Sequence, residues 1–388
     1  IGWRSPLYGG IAVENGVRLV AGNDLFFVPP READIRPPTA APPGLAPAPG
    51  QPDAFVTGIA TGLSGNPTRI ANIADNVMIG PMVAASIAAS ASLRVARNVV
   101  LDAMIGVLVN GGESTVIEQN LFSRGRLGIG LLNAARAVVD GNVIDQAGND
   151  GILGVFTGSA ANGIVRISHN ALRRCGAMQS TATALRVVAL DPQESAGAWV
   201  EQTEIVIEHN TVLDTGLAAG TGVRSERSIG ISIAAPRAVV HGNDVGHGHP
   251  ARNDPGLAAL ALEIQKANRA LLVIPTQGQG VPPVDDQAWA HALSITDNRF
   301  RGMSVDTLVE ILEGAASGDQ RPPRFHSVVV AGNTVEHWRP AASQDGRATL
   351  ELRAHPQALV SVSGNVVRGT GRAPSVRMDG PKQIAFAG

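Results

Sequence analysis

The residues in this sequence best suited to chemistry are Glu263, Glu310 and Glu351, together with Arg186, Arg353 and Arg377. Two carboxylates about 5 Å apart shift each other's pKa and suit an acid and a nucleophile, whereas a wider pair leaves room for a water. On this reasoning Glu310 and Glu351 are candidate catalytic groups. Glu263, Arg186, Arg353 and Arg377 are candidate substrate-binding groups, the guanidiniums suiting an acidic sugar. They are spread from residue 186 to residue 377, so only the fold can bring them together.

Other reactive types offer less. Cys175 is the single cysteine, which excludes a disulfide framework and any cluster of thiolates. His241, His247 and His249 crowd nine residues, and His169 and His209 each precede an asparagine of the repeat described below. Stacked at a turn, such a pair gives two ligands at most, so no metal site is expected. There is no Walker loop, dinucleotide fingerprint, His-Glu-x-x-His or nucleophile elbow, and no cofactor is expected.

The elements that position these side chains are written in a repeat. Eleven asparagines share one context: Asn23, Asn76, Asn98, Asn120, Asn142, Asn170, Asn210, Asn243, Asn298, Asn333 and Asn365. Three positions before each stands Val or Ile, and two positions after each stands a large apolar residue. Asn76, Asn98, Asn120 and Asn142 are 22 residues apart, and later gaps lengthen to between 28 and 55. The segments alternate and are rich in β-branched residues, which excludes a helical repeat.

Three short strands fit in each unit. Between Asn120 and Asn142 they are expected at Leu121–Phe122, Gly128–Leu132 and Ala137–Val139. A fixed offset implies that successive units pair in register, giving a coil of parallel strands with the right-handed sense of parallel crossovers. The tight turn at each Asn is expected to use the asparagine itself at positive φ, with the amides stacked as a ladder. The fold class is therefore all-β: a right-handed parallel β-helix of about eleven rungs.

The repeat resembles the right-handed parallel β-helix repeat family, the pectate-lyase-like superfamily that includes tailspike-like proteins, from about Val17 to Met378. The resemblance implies that a cleft over the loop-flanked sheet is the carbohydrate site. Gly246-His247-Gly248 is similar to the Gly-His-Gly of polygalacturonases, but the paired-Asp and Arg-x-Lys motifs of that family are missing. The carboxylate-rich calcium cluster of pectate lyases is also missing from the early rungs.

Because the Asn turn never takes an insertion, the extra residues fall at the other two turns. They precede or follow the strand that reads Gly-Ile-x-Leu, so both sets of loops flank one sheet. Taking Ile129 and Leu131 as inward puts Leu108, Gly130, Leu132 and Leu153 outward on the early rungs. This apolar surface is expected to be covered by the Pro-rich segment 29–52 or by a neighbouring subunit. On later rungs the outward residues become Arg186, Ser232, Glu263, Glu310, Glu351, Arg353 and Arg377.

Composition agrees with a layered core. The 388 residues include 45 Gly and only 13 aromatics, and the apolar fraction of 44% is too high for a disordered chain. A net charge of −2 predicts no nucleic-acid partner, and no apolar run is long enough to span a membrane. No capping helix is evident before Val17 or after Met378, so the chain is expected to continue or to have its ends covered by other chains. Residues 1–388 read as one β-helical domain. Two functions follow: a binding or structural module of a surface or particle assembly, contacting a polysaccharide outside the cell, or a polysaccharide-active lyase, hydrolase or epimerase.

Overall fold

The computed structural model describes residues 11–13, 19–26, 57–61, 70–81, 83–88, 92–157, 163–179, 181–190, 204–217, 227–235, 237–246, 258–264, 292–303, 308–312, 327–338, 348–353, 358–369, 376–379 and 383–387. These residues form three parallel sheets of 12, 12 and 11 strands. Consecutive strands in a sheet are three apart along the chain, so each turn of chain adds one strand to every sheet. The architecture is the expected right-handed parallel β-helix.

The strands between Asn120 and Asn142 run Leu121–Ser123, Leu127–Leu132 and Ala137–Asp140, each within a residue of expectation. Register follows the repeat: Val95, Ile117, Val139 and Ile167 are Cα partners on successive strands. So are Val100, Phe122, Ile144 and Leu172. All eight are buried in one apolar cluster that runs along the coil. Files of Val, Ile, Leu and an occasional Phe fill the core because every rung presents the same positions, and few aromatics are needed.

The asparagine turn departs from expectation in one respect. The residue at positive φ is the one before the asparagine: Asp75, Arg97, Gln119, His169, His209 and Asp297, or Gly22, Gly141, Gly242, Gly332 and Gly364. The reason lies in where the amide must point. Asn142 turns inward, and its Oδ1 accepts bonds from the backbone N and the Nδ2 of Asn120 at 3.0 and 2.9 Å. Its Nδ2 in turn donates to Oδ1 of Asn170, at 2.9 Å, and to the carbonyl of Ile117. The preceding residue therefore makes the corner, which also explains why glycine stands there five times.

A second set of corners, between the third sheet and the first, carries Asp102, Arg124, Gln146, Arg174 and Asp214 at positive φ. Beyond it the chain presses against the next rung. A Cβ on Gly128 would lie 2.5 Å from the carbonyl oxygen of Gly151. Glycines such as Gly58, Gly106, Gly128 and Gly151 therefore stand near the starts of first-sheet strands. The long insertions sit where the repeat put them, for example between Leu190 and Glu204, and between Gly246 and Ala258. Those loops, and the Pro-rich segment 29–52, lie outside the described residues.

Candidate functional site

The first sheet carries an outward file whose members are Cα partners from strand to strand. It begins Leu108, Gly130, Leu153 and continues Arg186, Ser232. It ends Glu263, Glu310, Glu351, Arg377. The structure thus brings five of the six candidate residues into one file. Arg353 lies on the same face two positions along the strand from Glu351, paired with Leu312 and Asp379. Glu263 and Arg353 are placed by their backbones, and their side chains lie outside the described residues.

Strand spacing puts adjacent members of the file about 4.8 Å apart, so Glu310 and Glu351 stand about 5 Å apart and Glu263 and Glu351 about 10 Å. Burial is deeper than a solvated charged face would show. Glu351 is 1% exposed, Glu310 8% and Ser232 9%. A buried carboxylate must be compensated, and Glu310, Glu351, Ser232 and Arg377 are each engaged. Arg377 is exposed and stands next to Glu351. The early members Leu108 and Leu153 are half-buried.

Sequence reasoning missed Asp150. It precedes the strand Ile152–Thr157 and is 4% exposed. On the next rung, Arg186 Nη2 donates to Thr183 Oγ1 at 2.8 Å and approaches Asp150 Oδ1 at 3.4 Å. The approach to Asp150 is an ion-pair distance without hydrogen-bond geometry, because Oδ1 has no hydrogen-bond partner. Burial pushes the Asp150 carboxyl up to about 6, and Arg186 opposes the rise only in part. A signal was available in the repeat. Two residues before the aligned Ile129, Ile152, Leu185 and Ile231 stand Leu127, Asp150, Thr183 and Ile229. A carboxylate and a hydroxyl interrupt a position that is apolar at Val83, Ile105, Leu127 and Ile229.

The histidines also stack, but differently from a ligand set. The rings of His169 and His209 lie 5.4 Å apart with planes 19° apart, and His209 meets His241 edge-on at 5.1 Å. His169 Nδ1 lies 2.9 Å from Asp140 Oδ1, and His241 Nδ1 lies 3.0 Å from Thr296 Oγ1. His247 and His249 fall outside the described residues. Cys175 is fully buried, and burial raises its thiol to about 12.

Three parallel sheets, an inward asparagine ladder and a polar file on the loop-flanked sheet define the class: a right-handed parallel β-helix. Within that class, the family model described as "Periplasmic copper-binding protein (NosD)" matches residues 52–235, somewhat under half of the chain. No curated protein and no solved structure matches the chain. The matched span contains Asp150, Thr183, Arg186, His169 and His209 and stops before Glu263, Glu310 and Glu351.

The metal in that family's description has no matching donor set among the described residues. No group of three or more His, Cys, Asp or Glu is placed to hold an ion. The nearly parallel rings of His169 and His209 direct their donor atoms side by side rather than to one point. The Cys175 thiol stays protonated and enclosed.

Proposed function

We propose that this chain is an elongated structural and binding module of a surface, appendage or tailspike-like assembly, and that it takes a polysaccharide along the outward file of its first sheet. The observation that carries this reading is the in-register run of Arg186, Ser232, Glu263, Glu310, Glu351 and Arg377. The run extends over about 24 Å on a sheet with insertions at both edges. Ser232, Glu310 and Glu351 are buried, so direct contact falls to the more accessible Arg186 and Arg377, whose guanidiniums suit a repeating chain of hydroxyls and carboxylates. The periplasmic description of the family matching residues 52–235 supports a site of action outside the cytoplasm. Copper is not part of the reading.

The test is binding of the full chain to a panel of neutral and uronic-acid oligosaccharides by titration calorimetry. Binding that weakens at least about tenfold in Arg377→Gln or Arg353→Gln supports the reading. No measurable binding across the panel overturns it.

One observation favours an enzymatic alternative: Glu310 and Glu351 are adjacent and both buried, as an acid and nucleophile pair requires. In that case the wild-type chain cleaves or epimerises a member of the panel, and Glu310→Gln and Glu351→Gln each abolish turnover. Absence of product, or turnover unchanged in both variants, removes the catalytic role.

A further inference from the structure

The third sheet shows a surface that neither reading uses. Its strands are short, with the middle residue inward and the two flanking residues outward. One outward file runs Val77, Val99, Leu121, Val143, each the Cα partner of the next. The other runs Phe26, Ile79, Leu101. Phe26 is 68% exposed, Leu121 37% and Val143 41%, and the rest are partly exposed.

The fold does not require this. On later rungs the first of these positions holds Ala171, Thr211, Asp244, Arg299 and Thr334 before an isolated Val366, in the same register. The apolar stripe is therefore a local choice of residues on the first rungs, and contiguous exposed apolar surface of this kind marks an interaction site.

Charge along the stripe's edges identifies the occupant. On one edge, at the asparagine corner, Arg97 pairs with Asp75. On the other edge, at the corner leading to the first sheet, Asp102 pairs with Arg124. Arg97 and Asp102 flank the same strand, Val99–Leu101. A two-fold axis parallel to the coil brings one edge of a copy against the opposite edge of its partner at the same height. Arg97 of each copy then faces Asp102 of the other, and every rung of the stripe faces its counterpart. An antiparallel arrangement that opposes Asp75 to Arg97 instead leaves Val143 facing nothing.

We propose that the stripe is a self-association surface, on which two copies of this chain pack side by side, parallel and in register, through the third sheet. This deepens the assembly part of the reading above by naming the partner as a second copy. Loss of self-association with glycan binding intact, or the reverse, separates the two. Five strands by about five residue positions give about 400 Å² per copy, below the roughly 800 Å² of a standard interface. The expected dimer is accordingly in reversible, micromolar-range equilibrium with monomer.

Sedimentation equilibrium of the full chain tests this. The wild type is expected to fit a monomer–dimer equilibrium, and Leu121→Glu to weaken it at least about tenfold, with an unchanged far-UV spectrum. Should Leu121→Glu fail to fold, a chain carrying both Gly141→Cys and Gln146→Cys answers the question, because these uncharged corner positions flank the strand Val143–Asp145 and leave Arg97 and Asp102 in place. These positions lie about 16 Å apart on opposite edges of one chain, too far for a short bismaleimide to bridge internally. Native Cys175 is fully buried and does not compete. Covalent dimers linked from 141 to 146 support the parallel arrangement. A strictly monomeric wild type, a trimer, self-association indifferent to Leu121→Glu, or no 141-to-146 link overturns the proposal.

Discussion

Asp150 sits in the wrong place for an ionised carboxylate, and replacing it by asparagine measures the cost. Burial raises its pKa from the ordinary 3.8 to about 6, the nearby Arg186 compensating only in part. The folded chain therefore holds the proton more tightly than the unfolded chain. The stability contributed by protonation is complete below about pH 3.8 and is lost as pH rises through about 6. The difference between 3.8 and about 6 corresponds to about 3 kcal/mol, with a limiting slope of about 1.4 kcal/mol per pH unit. Asp150→Asn keeps the shape of the neutral acid and cannot ionise. Urea unfolding of both proteins at pH 4, 5.5 and 7.5 gives a difference in which the other carboxylates cancel. The variant should match the wild type near pH 4 and exceed it by up to about 3 kcal/mol at pH 7.5. Arg186→Gln removes the compensating cation and should carry the loss to higher pH, with a larger total at the same limiting slope. A flat difference curve, or a wild type that gains on Asp150→Asn as pH rises, would falsify the reading of a poorly compensated buried acid.

Other perturbations have definite outcomes. Asn142→Ala removes the acceptor of two bonds from Asn120 and leaves the carbonyl of Ile117 without this donor in the core. It should lower unfolding free energy by about 3 kcal/mol or more in urea titration. Gly128→Ala drives a Cβ to 2.5 Å from the Gly151 carbonyl and to 2.9 Å from an Ile144 methyl. A loss of about 2 kcal/mol or more is expected, and a neutral result would show that the corner can open. Gly141→Ala meets only Gln119 Cγ, at 3.6 Å, but keeps φ near +63°. It should cost about 1 kcal/mol from backbone strain alone.

Most of the fold was legible because a coil repeats its constraints. The asparagine with Val or Ile three before it and a large apolar residue two after it fixes an inward turn and two inward strands at once. Eleven copies of that pattern leave no other register. The error at the turn shows the limit of such reading. A residue at positive φ was needed, and asparagine tolerates it, but the sequence pattern alone does not say which of two neighbours bends. Glycine before the asparagine in five turns was the clue, and His169, Arg97 and Asp297 concealed it by accepting the left-handed conformation in the others.

The candidate site was legible only in placement. Register carried Arg186, Glu263, Glu310, Glu351 and Arg377 into one file, because alternation along a strand is strict once a single rung is fixed. Burial was not legible. Glu351 is 1% exposed on an outward face, and the strand pattern contains nothing about what lies over that face. Asp150 escaped for a related reason: it stands at the corner, before alternation begins.

The two polar departures from the repeat share a physical logic. Inward positions of a solenoid are held to Val, Ile, Leu and Asn by neighbours above and below, whereas outward positions answer only to what they touch. A switch of outward character along one file therefore reports a change of partner rather than a change of fold. On the first sheet the switch runs from Leu153 to Arg186 and on to Glu351. On the third it runs from Leu121 and Val143 to Thr211 and Asp244. The apolar part of the third sheet lies on the early rungs and the polar file of the first on the later ones. Separate stretches of one rigid coil can then hold a second copy and a ligand without either contact obstructing the other.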